Sequence, residues 1–565
     1  MPHCKIHNVR FYEPEPQAIR CMSLQSTSKK LAVARSDSTI EIWNLNNVWY
    51  IERTIHPTVE NFSIEGLACR LAVTGESAFC LDINKNKIAI GTEKGYLNIF
   101  RIAEDEINFD KFLDKQEGRI ICLKFEPSGE FIVSGSIDAI RVWNVGTGHA
   151  IHKMTTGRSD ANKPTIVWCL EVTNDFTIIS GDSRGKLTFW DSKVGSQIES
   201  YQSHKADILT LCLSDDQKSL YCAGRALDKW VKSIQRKIHE HDVNSLVFCE
   251  NKLYSGGADG YLACSYYPPK TLLKLPPVLQ GPCVHVAADA RYILLRYAKH
   301  IEIWTLGKAG DVETDRRGML HLENEPKKLL VLNRLSKDYN GEEEKEGINC
   351  SCMSNDGKWI FFSTCKGVRL FQFVYVNEKP NLLKVDELEH KYIPSVQAVF
   401  SPNSSQLIVA PNTGGLIVYD LKDGRSSVNT VLDNKGLEDT ITFLTTSSCG
   451  KYLIAGDAKS NIVIWISKKA EWCKYCKLPK YQHPPTALGV HPNTSYLIVA
   501  YSDSKVVEYD IKKRHFTDFS NNLGTIANKQ WKSRSNPIRN ITFDPRVNNI
   551  IVLHDDSNII IIDKK

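Results

Sequence analysis

Sixteen histidines, seventeen cysteines and sixty-five carboxylates could build almost any hydrolytic, redox or metal site. What matters is whether they recur at a spacing that chemistry requires. The sequence holds no HExxH zinc pair, no GxSxG nucleophile turn, no GxxxxGK[S/T] phosphate cradle and no GxGxxG opening a helix. The Gly-rich SGGADGY (255–261) belongs in a strand turn, where glycine serves backbone conformation. Cys473-Lys-Tyr-Cys476 has zinc-knuckle spacing. A structural zinc site needs four ligands, however, and beyond that pair only His483 offers a third. The expectation is therefore no catalytic residue, no cofactor, no metal and no small-molecule substrate.

The same residue types do recur inside one repeated phrase. A few apolar residues lead to a Gly or Ser turn, a polar pair, and an alternating strand that ends in an aromatic. Its copies include LAVARSDSTIEIWNL (31–45), FIVSGSIDAIRVWNV (131–145), TIISGDSRGKLTFWDS (177–192), YLIAGDAKSNIVIWIS (452–467) and YLIVAYSDSKVVEYDI (496–511). A spacing of roughly 40–48 residues between units predicts a WD40-type β-propeller. In such repeats a Ser or Thr, a turn Asp, a Trp and an upstream His can form a buried hydrogen-bonded network that fixes blade geometry. The candidates are Asp37 with Trp43, Ser134 and Asp138 with Trp143, Ser180 with Trp190, and His241 with Ser255 and Asp259. Arg184 stands at the turn position where Asp is usual. These residues are expected to be structural, not general acids or bases.

Basic clusters fall at 229–237, 468–480, 512–514 and 529–539. The second carries Lys468, Lys469, Lys474, Lys477 and Lys480 around Trp472 and Tyr475. The fourth carries Lys529, Lys532, Arg534 and Arg539 around Trp531. Cations interleaved with aromatics can contact phosphates and stack on unpaired bases, so these nine residues are the candidate RNA contacts.

The elements that must position these groups are antiparallel blades. Each pairs an apolar strand with an alternating one across a short Gly, Asp, Ser or Asn turn. An upstream strand such as RIICLKFEPSGE (119–130) or SVQAVFSPNSSQ (395–406) completes at least three strands per unit. Seven units are expected to end near Leu45, Ile83, Ile102, Val145, Ser192, Lys232 and Pro268, and six more near Leu306, Phe373, Leu421, Ser467, Ile511 and Lys564. Prolines crowd 266–283, which places a linker at 271–282 between a first propeller (1–270) and a second (283–565). The second unit, FSIEGLACRLAVTGESAFCLDI (62–83), is too short for four strands, and the polar stretch 307–347 with its GEEEKEG run is expected to be a surface loop. The expected fold is all-β: two tandem WD40-type seven-bladed propellers, the first with a shortened blade 2 and the second without its last blade.

Bulk properties agree with this picture. At 565 residues the chain exceeds a single compact core, and 42% hydrophobic with 24% charged residues is ordinary for a globular protein. A net charge of +6 permits an anionic partner without demanding one. No apolar run reaches the length of a signal peptide or a membrane helix, so a cytosolic or nuclear protein with reduced thiols is expected.

Particular stretches, taken in order, resemble the cirhin family. They are KIHNVRFY and AIRCMSL within 5–24, LAVARSDSTIEIWNL, AIHKM (150–154), IVWCL (166–170), TIISGDSRGKLTFWDS, HPNTSYLIVAYSDSKVVEYDI, NPIRNITFDP and IIVLHDDSNIIIIDK. The resemblance spans nearly the whole chain. It implies a nucleolar, non-enzymatic tandem-propeller scaffold of the small-subunit processome, within its early UtpA (t-UTP) subcomplex. The implied role is pre-rRNA processing and 18S rRNA production, with support of pre-rRNA transcription. The implied partners are other propeller and helical-tail subunits of that subcomplex, together with pre-rRNA and the U3 small nucleolar ribonucleoprotein, directly or through those subunits, and no membrane. Two departures stand out: the short second unit, and an end at Lys565 where the family continues into a last blade and a basic tail. Outside this resemblance, the repeats alone fit a scaffold elsewhere, such as a ubiquitin-ligase substrate receptor or a trafficking adaptor.

Overall fold

The computed structural model describes residues 17–564, apart from the longer segments 56–77, 159–162, 225–237, 267–271, 276–280, 308–323, 338–342 and 521–536 and a few single residues and pairs. The chain divides into two compact units, one of Pro16–Glu41 with Pro57–Pro277, the other of Val278–Lys565 with Ile42–His56 and Met1–Glu15. The fold is all-β, in tandem WD40-type propellers. Among the described residues, six sheets run between Ile19 and Leu275, and six more, with one separate hairpin, between Val284 and Asp563. Most are four-stranded meanders in sequence order, such as Cys122–Phe125, Phe131–Gly135, Ala139–Asn144 and Ala150–Thr155.

The local sequence explains each meander. Strands Phe131–Gly135 and Ala139–Asn144 are buried along most of their length, as a sheet covered on both faces requires. The turn before them closes through Gly129, whose amide donates to the Glu126 carbonyl at 2.9 Å and whose φ of 80° would strain a side-chain-bearing residue. Outer strands such as Ser196–Gln202 are exposed almost throughout. The apolar clusters lie between consecutive sheets, so the core is a series of interfaces. Val133, Ile140, Val142 and Met154 of the third sheet, for example, meet Val167, Leu170, Val172, Ile178 and Trp190 of the fourth.

One contact repeats at these interfaces. A Cβ added to Gly91 would lie 2.6 Å from Ile120 Cγ2 of the next sheet. At Gly135 it would lie 2.8 Å from Val167 Cγ1, and at Gly181 2.7 Å from Ile208 Cγ2. Beside each glycine a thiol crosses to the same neighbour: Cys80 to the Ile120 carbonyl at 3.5 Å, Cys122 to Val167 at 3.4 Å and Cys169 to Ile208 at 3.4 Å. In the fifth and sixth sheets hydroxyls replace the thiols, with Thr210 Oγ1 accepting from Leu246 N and Ser245 Oγ from Met22 N. The last of these bonds joins the sixth sheet to the first. A Cβ on Gly256 would fall 2.5 Å from Ile19 Cγ2, Asn244 donates to the Ile19 carbonyl at 2.8 Å, and Arg35 donates to the Gly260 carbonyl at 3.0 Å.

Two expectations change. The unit ends near Ile83 and Ile102 belong to one sheet, because Ala78–Asn84 is the first strand of the meander that continues through Lys87–Thr92, Leu97–Ala103 and Glu106–Phe112. The rest of the short unit falls within 56–77, outside the described residues. The stretch 307–347 is not all loop: Lys327–Asn333 is an outer strand, with Leu330 opposite Ile303 and Leu332 opposite Ile301, and Leu335–Lys337 pairs with Glu343–Lys345. The alternation in KKLLVLN buries its leucines in part, which the charges around it obscured. The fourteen described cysteines are free. Burial pushes the Cys222 thiol up to about 11, so it is protonated and inert at neutral pH.

The glycine contact makes a direct prediction. Gly181→Ala should cost about 1–3 kcal/mol in a chemical melt, because Cys169 Sγ and Ile208 have no room to give. Gly157→Ala, whose new Cβ meets only the flexible end of Arg184, should stay within about 0.5 kcal/mol.

Candidate functional site

The blade networks take three forms. Trp143 Nε1 donates to Ser134 Oγ at 2.8 Å, and that hydroxyl donates onward to Gln116 Oε1 at 3.0 Å. Trp190 Nε1 likewise donates to Ser180 Oγ at 2.9 Å. In the sixth sheet His239, not His241, joins Ser255 and Asp259: Nδ1 lies 2.9 Å from Asp259 Oδ1 and Nε2 2.8 Å from Ser255 Oγ. His241 is exposed, whereas His239 packs against Gly257, where a Cβ would crowd its ring at 2.7 Å. Burial opposes ionisation of Asp259, but His239 and the amides of Glu240 and Tyr261 outweigh it and hold the carboxyl below its usual range. The order Ser–His–Asp resembles a hydrolase triad, yet all three side chains are buried, so the set locks a loop.

The two turn aspartates do not face their tryptophans. Asp37 Oδ1 accepts from Thr39 N at 3.0 Å and Thr39 Oγ1 at 2.7 Å, closing its own turn. Asp138 accepts from Thr165 N at 2.7 Å and from the Arg158 guanidinium, tying the third sheet to the approach of the fourth. The hydrogen bond from Arg158 is the main cause of its lowered pKa. In the fourth sheet Arg184 donates through Nε to Asp182 Oδ2 at 2.9 Å. Among the described residues no three His, Cys, Asp or Glu side chains converge as metal ligands.

The basic candidates separate in space. Lys468 ends the third strand of the sheet containing Ile462–Lys468 and Glu471–Lys477, while Lys480 follows the far end of the second of these strands. A strand of that length spans about 23 Å, so the continuous sequence cluster is not one patch. Trp472 cannot stack on a base, because it is buried against the preceding sheet and donates to Gln406 Oε1 at 3.1 Å. Tyr475 already carries the Arg514 guanidinium 4.3 Å from its ring centre. Lys480 pairs with Glu438 at 3.4 Å, and Glu438 is held below its usual pKa by Lys480, with Lys477 and Lys459 adding to the effect. Lys474 and Lys477 reach to the same side, toward Gly436. Arg539 is half-buried, its amide donating to the His554 carbonyl at 2.8 Å. Lys469, Lys529, Lys532 and Arg534 lie outside the described residues, as does Trp531.

Comparison with known proteins follows the same architecture. The family model for the WD40 domain of anaphase-promoting complex subunit 4 matches residues 80–175, a span of little more than two sheets. Over its full length the chain is 29% identical to the human "U3 small nucleolar RNA-associated protein 4 homolog", covering 89% of that protein. Proteins named U3 small nucleolar RNA-associated protein 4 match at 25% in Schizosaccharomyces pombe and 21% in Saccharomyces cerevisiae, over 93% and 94% of the chain and 82% and 77% of each relative. The likeness runs through both propellers. The shorter match supports the repeat type alone.

Loop locking by His239 separates two neighbouring histidines experimentally. His239→Ala should cost about 1–3 kcal/mol in a denaturant melt, since it removes the imidazole that joins the buried Asp259 carboxylate to the buried Ser255 hydroxyl. His241→Ala should stay within about 0.5 kcal/mol. Equal losses would mean that the sixth-sheet network does not depend on His239.

Proposed function

We propose that this chain is a non-enzymatic scaffold of the nucleolar small-subunit processome, needed for pre-rRNA processing and small ribosomal subunit production. The observation that supports it most is the full-length likeness to proteins named for association with U3 small nucleolar RNA. A likeness confined to one propeller would speak only to the fold. The chemistry agrees: the polar clusters of the blades are buried and hydrogen-bonded to one another, and outer strands such as Ser196–Gln202 are exposed. On this reading the blades display binding surfaces for other subunits of the early UtpA subcomplex, and through them or directly for pre-rRNA and the U3 ribonucleoprotein. Support of pre-rRNA transcription is part of the same proposal. The exposed outer strands, which vary most between blades, supply specificity without chemistry.

Purification of the tagged full chain from its own cells should recover U3 RNA, and depletion should raise 18S precursors while lowering mature 18S rRNA. A tagged chain spread through the cytoplasm, with an unchanged precursor pattern on depletion, would refute the proposal.

A further inference from the structure

The structure breaks up the basic run 468–480 and assembles another basic surface from residues far apart in sequence. In a meander, the turn between the first and second strands and the turn between the third and fourth open on the same rim. That rule puts Lys451, at the first such turn of one sheet, beside Lys468, at its second, and beside Lys512, Lys513 and Arg514, at the corresponding turn of the next sheet. A ladder of rings and cations links the two sheets. Lys451 Nζ lies 5.8 Å from the Tyr452 ring centre, Tyr452 lies 6.1 Å from Tyr475, and Arg514 lies over Tyr475 at 4.3 Å. The contact with the Tyr475 ring holds the guanidinium in place. The turn itself is preset: Arg514 adopts a φ of 58°, and its amide donates to the Asp510 carbonyl at 2.8 Å.

The charge here is unbalanced. The two hairpins, 462–477 and 506–516, carry the carboxylates Glu471, Glu508 and Asp510. Glu508 is buried and bound by Thr517 and Lys564. Asp510 is buried and accepts the amides of Lys512 at 2.9 Å and Lys513 at 3.2 Å, so its charge is spent inside the turn that presents those lysines. Only Glu471, opposite Lys468, stays exposed. Among the described residues none of the five cations is ion-paired, whereas on the opposite rim Lys480 is tied to Glu438.

We propose that this rim, Lys451, Lys468, Lys512, Lys513 and Arg514, binds the phosphodiester backbone of single-stranded RNA. The inference rests on the proposed function for its choice of RNA as the polyanion. The contact reads phosphates and not bases, because the one ring face at its centre, Tyr475, is already occupied by Arg514. Binding is therefore steeply salt-dependent and indifferent to sequence.

The test is fluorescence anisotropy of a labelled oligouridylate against the full chain across a range of potassium chloride. The triple variant Lys512→Glu, Lys513→Glu, Arg514→Glu should weaken binding at least about tenfold and reduce the slope of log K against log salt by about 2, near the 0.7 expected per phosphate on a single strand. Lys474→Glu, Lys477→Glu, Lys480→Glu should change affinity by less than about twofold, because its Lys480 is already paired with Glu438 and its Lys477 adds to the field on that carboxylate. Matching thermal melts of both variants confirm that each is folded, and the single variant Lys513→Gln gives a milder form of the first. Unchanged oligouridylate binding in the first triple, or equal loss in both, overturns the proposal. So does unchanged RNA binding with loss of an acidic protein partner. A variant that loses oligouridylate binding yet still recovers U3 RNA from cells supports the rim and leaves the scaffold reading intact. If the wild-type chain binds oligouridylate but recovers no U3 RNA, only the scaffold reading fails.

Discussion

The close approach of one sheet to the next at a side-chain-free position is the constraint on which the architecture depends. At Gly91, Gly135, Gly181 and Gly256 a neighbouring Ile or Val occupies the space a Cβ would need. Beside these contacts Cys80, Cys122 and Cys169 donate to a backbone carbonyl of the facing sheet, and Ser245 accepts a backbone amide from it. This pairing sets the spacing and rotation between blades, since a methyl buried against a backbone fixes distance and a hydrogen bond fixes direction. Because Gly256 receives Ile19 and Ser245 receives the Met22 amide, the same device that builds the series also returns its sixth sheet to its first. The join of the sixth sheet to the first thus needs no special element, only a repeat of the rule at a sequence separation of 223 residues.

That constraint accounts for the cysteines as well. A thiol is small, apolar and able to donate weakly to a carbonyl, which suits a position pressed between two strands. Burial drives the pKa of Cys80, Cys122 and Cys169 well above the ordinary thiol value, so these sulfurs are packing groups without redox reactivity. The buried Ser, His, Asp and Trp sets follow the same logic. Each pairs polar atoms that the fold has removed from water, and such a buried network adds rigidity to its blade.

How much of this was legible in the sequence depended on distance. The alternation in AIRVWN and KLTFWD, with Gly and Ser before it, identified the blades correctly, because strand alternation and turn chemistry are local. The pairs Ser134–Trp143 and Ser180–Trp190 stand nine and ten residues apart and were equally visible. His239 was missed in favour of His241, a two-residue choice that only packing against Gly257 decides. Strand Lys327–Asn333 was hidden by the polar stretch around it, and Ala78–Asn84 was assigned to the wrong sheet for want of a visible partner. Trp472 was misjudged for a tertiary reason: its indole reaches Gln406, sixty-six residues away.

The basic residues show most clearly why sequence proximity misleads on this architecture. A strand carries neighbouring residues from one rim to the other, so a run of lysines along it is spread over about 23 Å. Turns behave in the opposite way. Lys451 and Lys512 are separated by more than one repeat in sequence, yet both sit at turns that open on the same rim of adjacent sheets. Charges that cooperate on a propeller should therefore be sought at turns of adjacent sheets that open on the same rim, with the buried carboxylates of the same hairpins subtracted. Glu508 and Asp510 count toward the formal charge of the chain, but they contribute little to the field outside it. Net charge per residue run is the wrong variable, and net exposed charge per rim is the one that can select a polyanion.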